Sequence, residues 1–169
     1  MTFNRIHIIG ASGSGKTYLG QKLSQLLHLP LQDLDGIKWD NQGTYGVERP
    51  ETERDRLLQE FITQPAWITE GIYYGWVGDS FAAADVIIIL QPSAMTRNYR
   101  MILRFLKRKL GFLPSKNETI KDLIALIKWT NDYARRKIPE IIAMTDLYDD
   151  KRYYFNNADD ALKFLTTKH

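Results

Sequence analysis

The residue pattern best suited to chemistry lies near the start of the chain, where residues 10–17 read GASGSGKT. This segment satisfies G-x-x-x-x-G-K-[S/T], a pattern in which glycines bring the backbone close to phosphate oxygens and helix-start amides point at the anion. The lysine reaches the outer phosphates, and the hydroxyl after it supplies a ligand to Mg²⁺. We therefore predict that ATP and Mg²⁺ bind here. The predicted ATP-binding residues are Gly10, Ser12, Gly13, Ser14, Gly15, Lys16, Thr17 and Tyr18.

Three carboxylates follow predicted strands, at the edge where open α/β sheets form their ligand crevice. Asp33 and Asp35 end the second predicted strand, and two residues apart on an extended chain they point the same way. One would bind Mg²⁺ through water, and the other would orient an acceptor hydroxyl or act as its base. The alternative for both is a solvated loop acid with a capping role. Thr17, Asp35 and Glu70 are the predicted metal ligands, and Lys16 and Asp35 are predicted to be catalytic.

One predicted helix is rich in cations, which are Arg97, Arg100, Arg104, Lys107, Arg108 and Lys109. On a helical wheel the arginines share one face with Lys107, and the other face is apolar, with Tyr99, Ile102, Leu103, Leu106 and Leu110. The pattern predicts that the apolar face packs and the basic face is exposed. In a mobile lid, one or two arginines would close on the phosphates, and Arg104 and Arg108 are the predicted catalytic pair. A solvated basic face and a nucleic-acid contact are the alternatives.

The order of the elements around these residues favours a three-layer α/β fold with a mostly parallel sheet. Apolar segments predict strands at 3–9, 30–34, 67–69, 85–90 and 152–155. Periodic segments predict helices at 16–27, 51–63, 93–110 and 118–138, a shorter one to Leu147, and a last helix capped by Asn157. Residues 36–50 are predicted to form a loop, and Pro139 is predicted to halt the helix before it. A strand and a helix therefore flank the glycine-rich loop, as its pattern requires.

Length and composition limit the number of domains, the class of protein and its expected location. The 169 residues predict one domain, residues 1–169, with a helical lid region at about 93–140. There are no cysteines, which excludes a disulfide framework and a Cys-based metal site. The apolar runs are too short to span a bilayer, so we expect a cytoplasmic protein without a membrane partner. A formal net charge of +3 is mild for a DNA-binding domain.

Missing motifs disfavour two classes of protein with this phosphate loop. The guanine-reading tetrapeptide N-K-x-D of GTPases does not occur in the sequence. Motor, transporter and AAA-type ATPases usually end an apolar strand in Asp-Glu, whereas the fourth predicted strand here ends in Leu90-Gln91-Pro92. A small kinase is the class that remains.

Several segments together carry a family resemblance: HIIGASGSGKTYLGQKLSQLL, LDGIKW at 34–39, WITEGIYYGW at 67–76, ADVIIIL at 84–90, the arginine-rich helix and Asn117-Glu118. With them the chain resembles the FlaR-like topology modulation family of P-loop proteins, which is similar to adenylate kinase. The resemblance implies a nucleotide-kinase-like core with a parallel five-stranded sheet in the order 2-3-1-4-5, and a helical lid over the triphosphate. The chain departs from the family at Glu70-Gly71, where Asp-Gly is usual, and at Gln91, where an acid is frequent.

We therefore predict an ATP-dependent phosphotransferase that acts on a nucleotide, a nucleoside or a small hydroxylated metabolite. Asp35 fits a hydroxyl acceptor better, because a phosphate acceptor needs no general base and an acid would repel it. One alternative is an ATP-binding, DNA-associated regulatory protein without small-molecule kinase activity, and another is a kinase-like protein that binds nucleotide without turnover. Four aromatic residues are predicted either to wall the acceptor site or to pack: Trp39, Tyr73, Tyr74 and Trp76. The sequence leaves the acceptor and the oligomeric state open.

Overall fold

Five parallel strands form one sheet in the computed structural model, which describes residues 3–40, 46–114 and 118–167. The strands are β1 (Arg5–Gly10), β2 (Leu31–Asp33), β3 (Trp67–Gly71), β4 (Val86–Leu90) and β5 (Arg152–Phe155). Their order is β2-β3-β1-β4-β5, and every neighbouring pair is parallel. The predicted α/β class and strand order are confirmed.

Helices connect the strands along the described part of the chain. They are α1 (Lys16–Leu27), α2 (Leu34–Lys38), α3 (Glu51–Ile62), α4 (Gly78–Ala83), α5 (Ala94–Lys109), α6 (Ile120–Met144), a 3₁₀ helix (Asp146–Lys151) and α7 (Ala158–Thr167). Asn157 has the predicted capping geometry, because its Oδ1 accepts a hydrogen bond from the amide of Asp160 at 2.8 Å. Among the described residues, no helix combines the length and apolarity needed to cross a membrane.

Both faces of the sheet are covered, which makes three layers. One hydrophobic cluster joins α1 and α7 to the sheet, and a second cluster on the opposite face joins α3, α4 and α6 to it. Within β4, Val86 and Ile88 belong to the first cluster, whereas Ile87 and Ile89 belong to the second. The unbroken apolar run of β4 is therefore buried on both sides, as expected of a central parallel strand.

The predicted strand at 30–34 and the predicted loop at 36–50 are wrong in part. β2 ends at Asp33, and Leu34 begins the short helix α2. Asp33 starts this helix because its Oδ1 accepts a hydrogen bond from the backbone amide of Asp35 at 2.9 Å. A single turn is too short to give a helical hydrophobic period, and the same reason applies to α4, which was not predicted. Residues 41–45 of the predicted loop lie outside the described residues.

Helix α6 runs through Pro139 and ends at Met144, so the predicted end at Ile138 is wrong. A proline inside a helix removes one backbone hydrogen bond and costs about 3 kcal/mol. Ile138 and Ile141 flank the proline and are buried in the core, and each buried isoleucine contributes roughly 1.5–3 kcal/mol. Burial outweighs the local cost, so the helix continues, and the 3₁₀ helix takes the place of the short helix expected before Leu147.

His7, in the middle of β1, is expected to make the protein less stable in acid. Its side chain is fully buried, its Nδ1 lies 2.8 Å from the Oγ of Ser80, and burial lowers its pKa to about 3. The unfolded chain takes up a proton near the ordinary histidine value, so below about pH 6.5 it binds more protons than the folded chain. The stability contribution of His7 is complete above that pH and falls by about 1.4 kcal/mol per pH unit below it.

Urea denaturation between about pH 7.5 and pH 5 would measure this slope. The matched variant is His7→Gln, which can keep a hydrogen bond to Ser80 but has no proton to gain in this range. We expect the free energy of unfolding to decline with acid more steeply in the native chain than in His7→Gln. Equal slopes would contradict the assignment, whatever the absolute stability of the variant.

Candidate functional site

The glycine-rich loop joins the end of β1 to the start of α1. Gly13 and Gly15 have positive backbone φ angles of 74° and 102°, a region that glycine adopts without steric cost. Gly15 is the residue before α1, and its helix start receives no side-chain cap. The first amides of α1 are therefore left to bind an external acceptor, which is the arrangement that favours an anion at a helix start.

Two loop glycines are also required by the packing around the loop. A Cβ on Gly10 would lie 2.7 Å from the carbonyl oxygen of Leu90, and a Cβ on Gly13 would lie 2.8 Å from that of Arg97. The loop is thus held between β4 and the start of α5. Gly10 serves this close approach, and it does not line the cavity described below.

Gly13→Ala is expected to destabilise the fold by roughly 3 kcal/mol, because a left-handed backbone cost adds to a steric clash. Gly111→Ala is the matched control, since Gly111 has a φ of 79° but no atom within 4 Å of its Cβ position. The control should lose only the backbone part, roughly 1–2 kcal/mol. Urea denaturation measures the free energy of unfolding of both variants. Equal losses would show that α5 makes no close steric contact with the loop at Gly13.

A cavity of about 280 Å³ opens in front of the loop. It brings together most of the predicted site residues, namely Ser12, Gly13, Gly15, Lys16, Thr17, Tyr18, Asp35, Glu70 and Arg104. Its lining also contains Asp33, Gly71, Ile72, Arg100 and Met101, and it excludes the predicted residues Gly10, Ser14 and Arg108. Tyr18 is tied to α7, because its hydroxyl donates to Asp159 at 3.2 Å. We call this space the P-loop cavity.

Lys16, Thr17 and Glu70 form the inner wall of the P-loop cavity. Lys16 is only 8% exposed, and its Nζ donates to the carbonyl oxygen of Ala11 at 3.4 Å. Burial lowers the pKa of Lys16, and the nearby Glu70 opposes this shift. Glu70 is also buried and accepts a 2.6 Å hydrogen bond from the Thr17 hydroxyl, while desolvation raises the pKa of its carboxyl. Two of the three predicted metal ligands, Thr17 and Glu70, therefore meet beside the lysine.

Asp33 and Asp35 both line the P-loop cavity, but their geometry differs from the prediction. Because the chain turns into α2 at Leu34, Asp35 lies in a helical turn and not on an extended strand. Asp33 has the capping role that was its alternative, and burial raises its pKa. Asp35 accepts a 2.6 Å hydrogen bond from the hydroxyl of Tyr73, which in turn accepts from Trp39 Nε1 at 3.3 Å. The Asp35 carboxylate is thus held by a short relay of side chains.

The four aromatic residues considered for an acceptor wall lie outside the lining of the P-loop cavity. Tyr73, Tyr74 and Trp76 pack at the margin of the core cluster that contains α3 and α6. The Tyr73 and Trp76 rings are 5.5 Å apart, and the guanidinium of Arg54 lies 4.9 Å from the Trp76 ring. Packing is therefore what the structure assigns to these rings, with Tyr73 reaching the site only through its hydroxyl.

The predicted orientation of α5 is wrong, because the predicted apolar face is exposed and the buried residues of the helix are Arg97, Met101 and Phe105. Arg97 is 9% exposed, whereas Leu110 and Tyr99 on the apolar face are 70% and 65% exposed. Arg100 Nη1 donates to the carbonyl oxygens of Gly13 at 3.3 Å and Ser14 at 2.9 Å. The loop carbonyls need donors, and arginine supplies them at this distance. Met101 and Phe105 are buried on the same side of the helix as Arg97, so polar pairing and apolar burial together fix which side faces the sheet.

Arg100 is the site residue that the sequence prediction missed. The sequence did contain an indication of this role, because Arg97, Arg100 and Arg104 recur at helical spacing and therefore lie on one side of the helix. Arg104 lines the P-loop cavity, and burial and the nearby charge of Arg108 lower its pKa. Arg108, predicted to act with Arg104, instead forms a 2.6 Å ion pair with Glu118. The structure therefore brings Arg100 and Arg104 to the loop and leaves Arg108 outside.

Comparison with known sequences gives a partial match. No family model matches the chain. The uncharacterized protein YqaC of Bacillus subtilis (strain 168) is 36% identical over 86 residues, which cover 50% of this chain and 47% of YqaC. The similarity therefore spans about half the length of the curated relative.

Comparison with solved structures covers nearly the whole chain. A shikimate kinase from Bacteroides thetaiotaomicron has a TM-score of 0.61 at 20% identity and covers 98% of both chains. The shikimate kinase from Acinetobacter baumannii in complex with shikimate has a TM-score of 0.58 at 19% identity, covering 98% of this chain and 93% of that one. A gluconokinase from Sinorhizobium meliloti 1021 has a TM-score of 0.53 at 13% identity, covering 98% and 90%. Together with the strand order and the loop, these similarities establish that the chain has the P-loop NTPase fold.

Proposed function

We propose that the protein transfers the γ-phosphoryl group of ATP to a hydroxyl group of a small molecule. One observation carries the proposal: a single cavity holds the loop, Lys16 and a carboxylate, Asp35, that is oriented by Tyr73. Phosphoryl transfer needs phosphate binding on one side and a positioned acceptor on the other. The P-loop cavity offers both.

The chain's own residues divide between the two sides of the reaction. Lys16, Arg100 and Arg104 lie on the loop side and would neutralise charge on the phosphates. Asp35 would accept the proton of the acceptor hydroxyl while the oxygen of that hydroxyl forms a bond to the γ-phosphorus. The bond between that phosphorus and the bridging oxygen breaks, and ADP leaves with the bond electrons. The relay through Tyr73 would keep the receiving carboxylate aimed at the hydroxyl.

Thr17 and Glu70 are the residues that fit a magnesium ion. Their side-chain oxygens lie 2.6 Å apart at the start of α1, both oxygen ligands suit Mg²⁺, and the carboxylate is desolvated. Within the ranges the structure describes, no three acidic or histidine side chains group into a metal cage. Mg²⁺ is commonly held by one or two carboxylates together with substrate phosphates. When bound, the ion would neutralise charge on the phosphate oxygens.

The acceptor side favours a hydroxyl compound without a phosphate group over a nucleoside monophosphate. Asp33 and Asp35 line that side, and the cations of the cavity are those grouped around the loop. A second phosphate placed against two carboxylates would be repelled. The similar structures are named as kinases of shikimate and gluconate, and this agrees with a hydroxylated acceptor. The resemblance to the FlaR-like family remains part of this proposal, with α5 and α6 as its lid.

The DNA-associated alternative depended on an exposed arginine face. Arg97 and Arg100 are engaged by backbone and side-chain oxygens, so these two arginines are not presented to a duplex. The exposed cations of α5 are Arg104, Lys107 and Lys109, and Arg104 lines the P-loop cavity. No observation on the described surface favours this alternative over phosphoryl transfer.

Phosphorus NMR tests the proposal directly. The protein is incubated with Mg-ATP and a panel of sugars, polyols, hydroxy acids, nucleosides and nucleoside monophosphates, with Lys16→Ala as the control. We expect a new phosphate ester from a hydroxyl acceptor, together with ADP, and no such product with Lys16→Ala. ATP binding without any ester from the panel or from a broad metabolite extract would overturn the proposal. An ester formed only from monophosphates would overturn its acceptor class.

A further inference from the structure

Helix α5 carries an exposed apolar stripe along its outer side. Six apolar side chains of α5 and its C-terminal cap recur at spacings of three or four residues and therefore share one side of the helix. They are exposed to different degrees, from 36% for Leu103 to 83% for Met95. We call them the α5 stripe, which consists of Met95, Tyr99, Ile102, Leu103, Leu106 and Leu110. It follows the whole 16-residue helix, a length of about 24 Å.

The packing of α5 onto the protein does not use this stripe. The buried residues of the helix are Arg97, Met101 and Phe105, on its opposite side. Arg100 fastens the helix to the phosphate loop through the carbonyl oxygens of residues 13 and 14. A helix at a protein surface normally buries its apolar stripe, and a continuous apolar patch that stays exposed marks an interaction site. A partner outside the described residues is therefore expected to cover the α5 stripe.

Lysines lie on both sides of the α5 stripe. At 3.6 residues per turn, Lys107 is about 80° from Tyr99 around the helix axis, and Lys109 is about 80° from it in the other direction. Both lysines are exposed, and the ion pairs of the described residues include neither of them. The stripe is thus an apolar band with a free positive charge along each edge.

The surrounding sequence offers these lysines no counter-charge. Residues 86–117 contain no aspartate or glutamate. The acids that border this segment are already paired, Asp85 with Arg5 at 2.7 Å and Glu118 with Arg108 at 2.6 Å. The charge pattern therefore selects an anionic partner that also has an apolar part.

An anionic lipid bilayer supplies both kinds of contact. Its outer acyl region takes up the apolar side of an amphipathic helix, while its headgroups attract lysines whose stems reach along the apolar surface. A second copy of the chain would present the same lysines and the same acid-free segment, so an isologous contact leaves the charges unbalanced. A nucleic acid would balance the charges but leave the apolar side chains uncovered.

We propose that α5 docks the protein on the surface of an anionic lipid bilayer. The α5 stripe enters the boundary between headgroups and acyl chains, and Lys107 and Lys109 lie against lipid phosphates. The docking is peripheral and involves no spanning segment. The opposite side of the same helix holds the phosphate loop through Arg100, so bilayer docking and nucleotide binding use different sides of α5.

Co-sedimentation of the full chain with lipid vesicles tests the proposal. One set of vesicles is pure phosphatidylcholine, and the other contains about 30% phosphatidylglycerol. We expect at least about tenfold tighter binding to the mixed vesicles, because the lysines are attracted only to the anionic surface. Added salt should weaken this binding, since exposed charges are screened. If the mixed vesicles bind no protein, or bind it no more tightly than the neutral ones, the proposal is overturned.

A double variant of the α5 stripe tests its apolar part. Leu106→Gln with Leu110→Gln removes two apolar side chains from the stripe, and Leu26→Gln with Leu147→Gln removes two comparably exposed leucines elsewhere. The first double variant should lower affinity for the mixed vesicles at least about tenfold, and the control should leave it unchanged. All four leucines are exposed, so the fold does not depend on them. Equal affinities of the two double variants would contradict the assignment to α5.

A second double variant tests the lysines. Lys107→Gln with Lys109→Gln is compared with Lys22→Gln with Lys163→Gln, which removes the same charge from exposed positions of α1 and α7. Only the α5 pair should weaken binding to the mixed vesicles by at least about tenfold. The same loss in both would mean that net charge alone causes the binding, and this would overturn the proposed site.

Sedimentation velocity without lipid tests the other occupant of the α5 stripe. Self-association that Leu106→Gln with Leu110→Gln abolishes, together with no vesicle binding by the native chain, would replace the bilayer by a second copy. We expect instead that the native chain shows no self-association through the stripe. These readouts are independent of phosphoryl transfer, so they can fail or succeed whatever the acceptor is.

Discussion

Replacing Asp35 by asparagine is expected to lower kcat by about 10²–10⁴-fold while ATP affinity changes little. Asparagine keeps an oxygen that can accept the hydrogen bond from Tyr73, which lies 2.6 Å from the aspartate in the native chain. It cannot take up the proton of the acceptor hydroxyl, so the chemical step loses its base. Initial rates of ADP formation at saturating acceptor, with ATP binding measured separately by calorimetry, report the two effects.

Asp33→Asn is the matched control for this variant. Asparagine caps a helix as well as aspartate does, so the hydrogen bond from the amide of Asp35 to residue 33 is retained. The change removes one negative charge from the same cavity without touching the proposed base. We expect kcat to remain within about tenfold of the native value. Equal losses in both variants would mean that the acids act through their combined field and that neither is a base.

The sequence was sufficient for the features that depend on local chemistry. The spacing of GASGSGKT between an apolar and an amphipathic segment predicted the loop, and the run of β4 predicted a strand covered on both faces. The strand order followed from the family resemblance and is confirmed. The loop and the β4 strand are encoded within a few neighbouring residues, because the loop needs glycines at fixed positions and a buried strand needs a continuous apolar run.

The features that sequence analysis missed depend on contacts between distant elements. Pro139 was expected to halt α6, but burial of Ile138 and Ile141 against the sheet keeps the helix intact. The apolar face of α5 was expected to pack, yet carbonyl oxygens of residues 13 and 14 attract Arg100 to the opposite side. Periodicity gives the two faces of a helix but cannot tell which one meets the polar edge of a phosphate loop.

Arg104→Met is expected to lower kcat by about 10³-fold, because the proposed lid arginine neutralises charge that develops during transfer. Arg104 lines the P-loop cavity, and partial desolvation lowers its pKa, but an arginine remains a cation at neutral pH. Arg104→Lys should recover only part of the rate, since an ammonium cannot donate in the planar, two-pronged way of a guanidinium. Steady-state kinetics with Mg-ATP and the identified acceptor would measure both changes.

Arg108→Met tests whether Arg104 and Arg108 both act in catalysis, as the sequence predicted, or whether Arg104 acts without Arg108, as the structure indicates. Arg108 is held in a 2.6 Å ion pair with Glu118, outside the lining of the cavity. Its loss should therefore cost less than about tenfold in kcat, and Glu118→Gln should have a similarly small effect. A loss as large as that of Arg104→Met would mean that Glu118 releases Arg108 when nucleotide binds. In that case Glu118→Gln should raise the rate instead of leaving it unchanged.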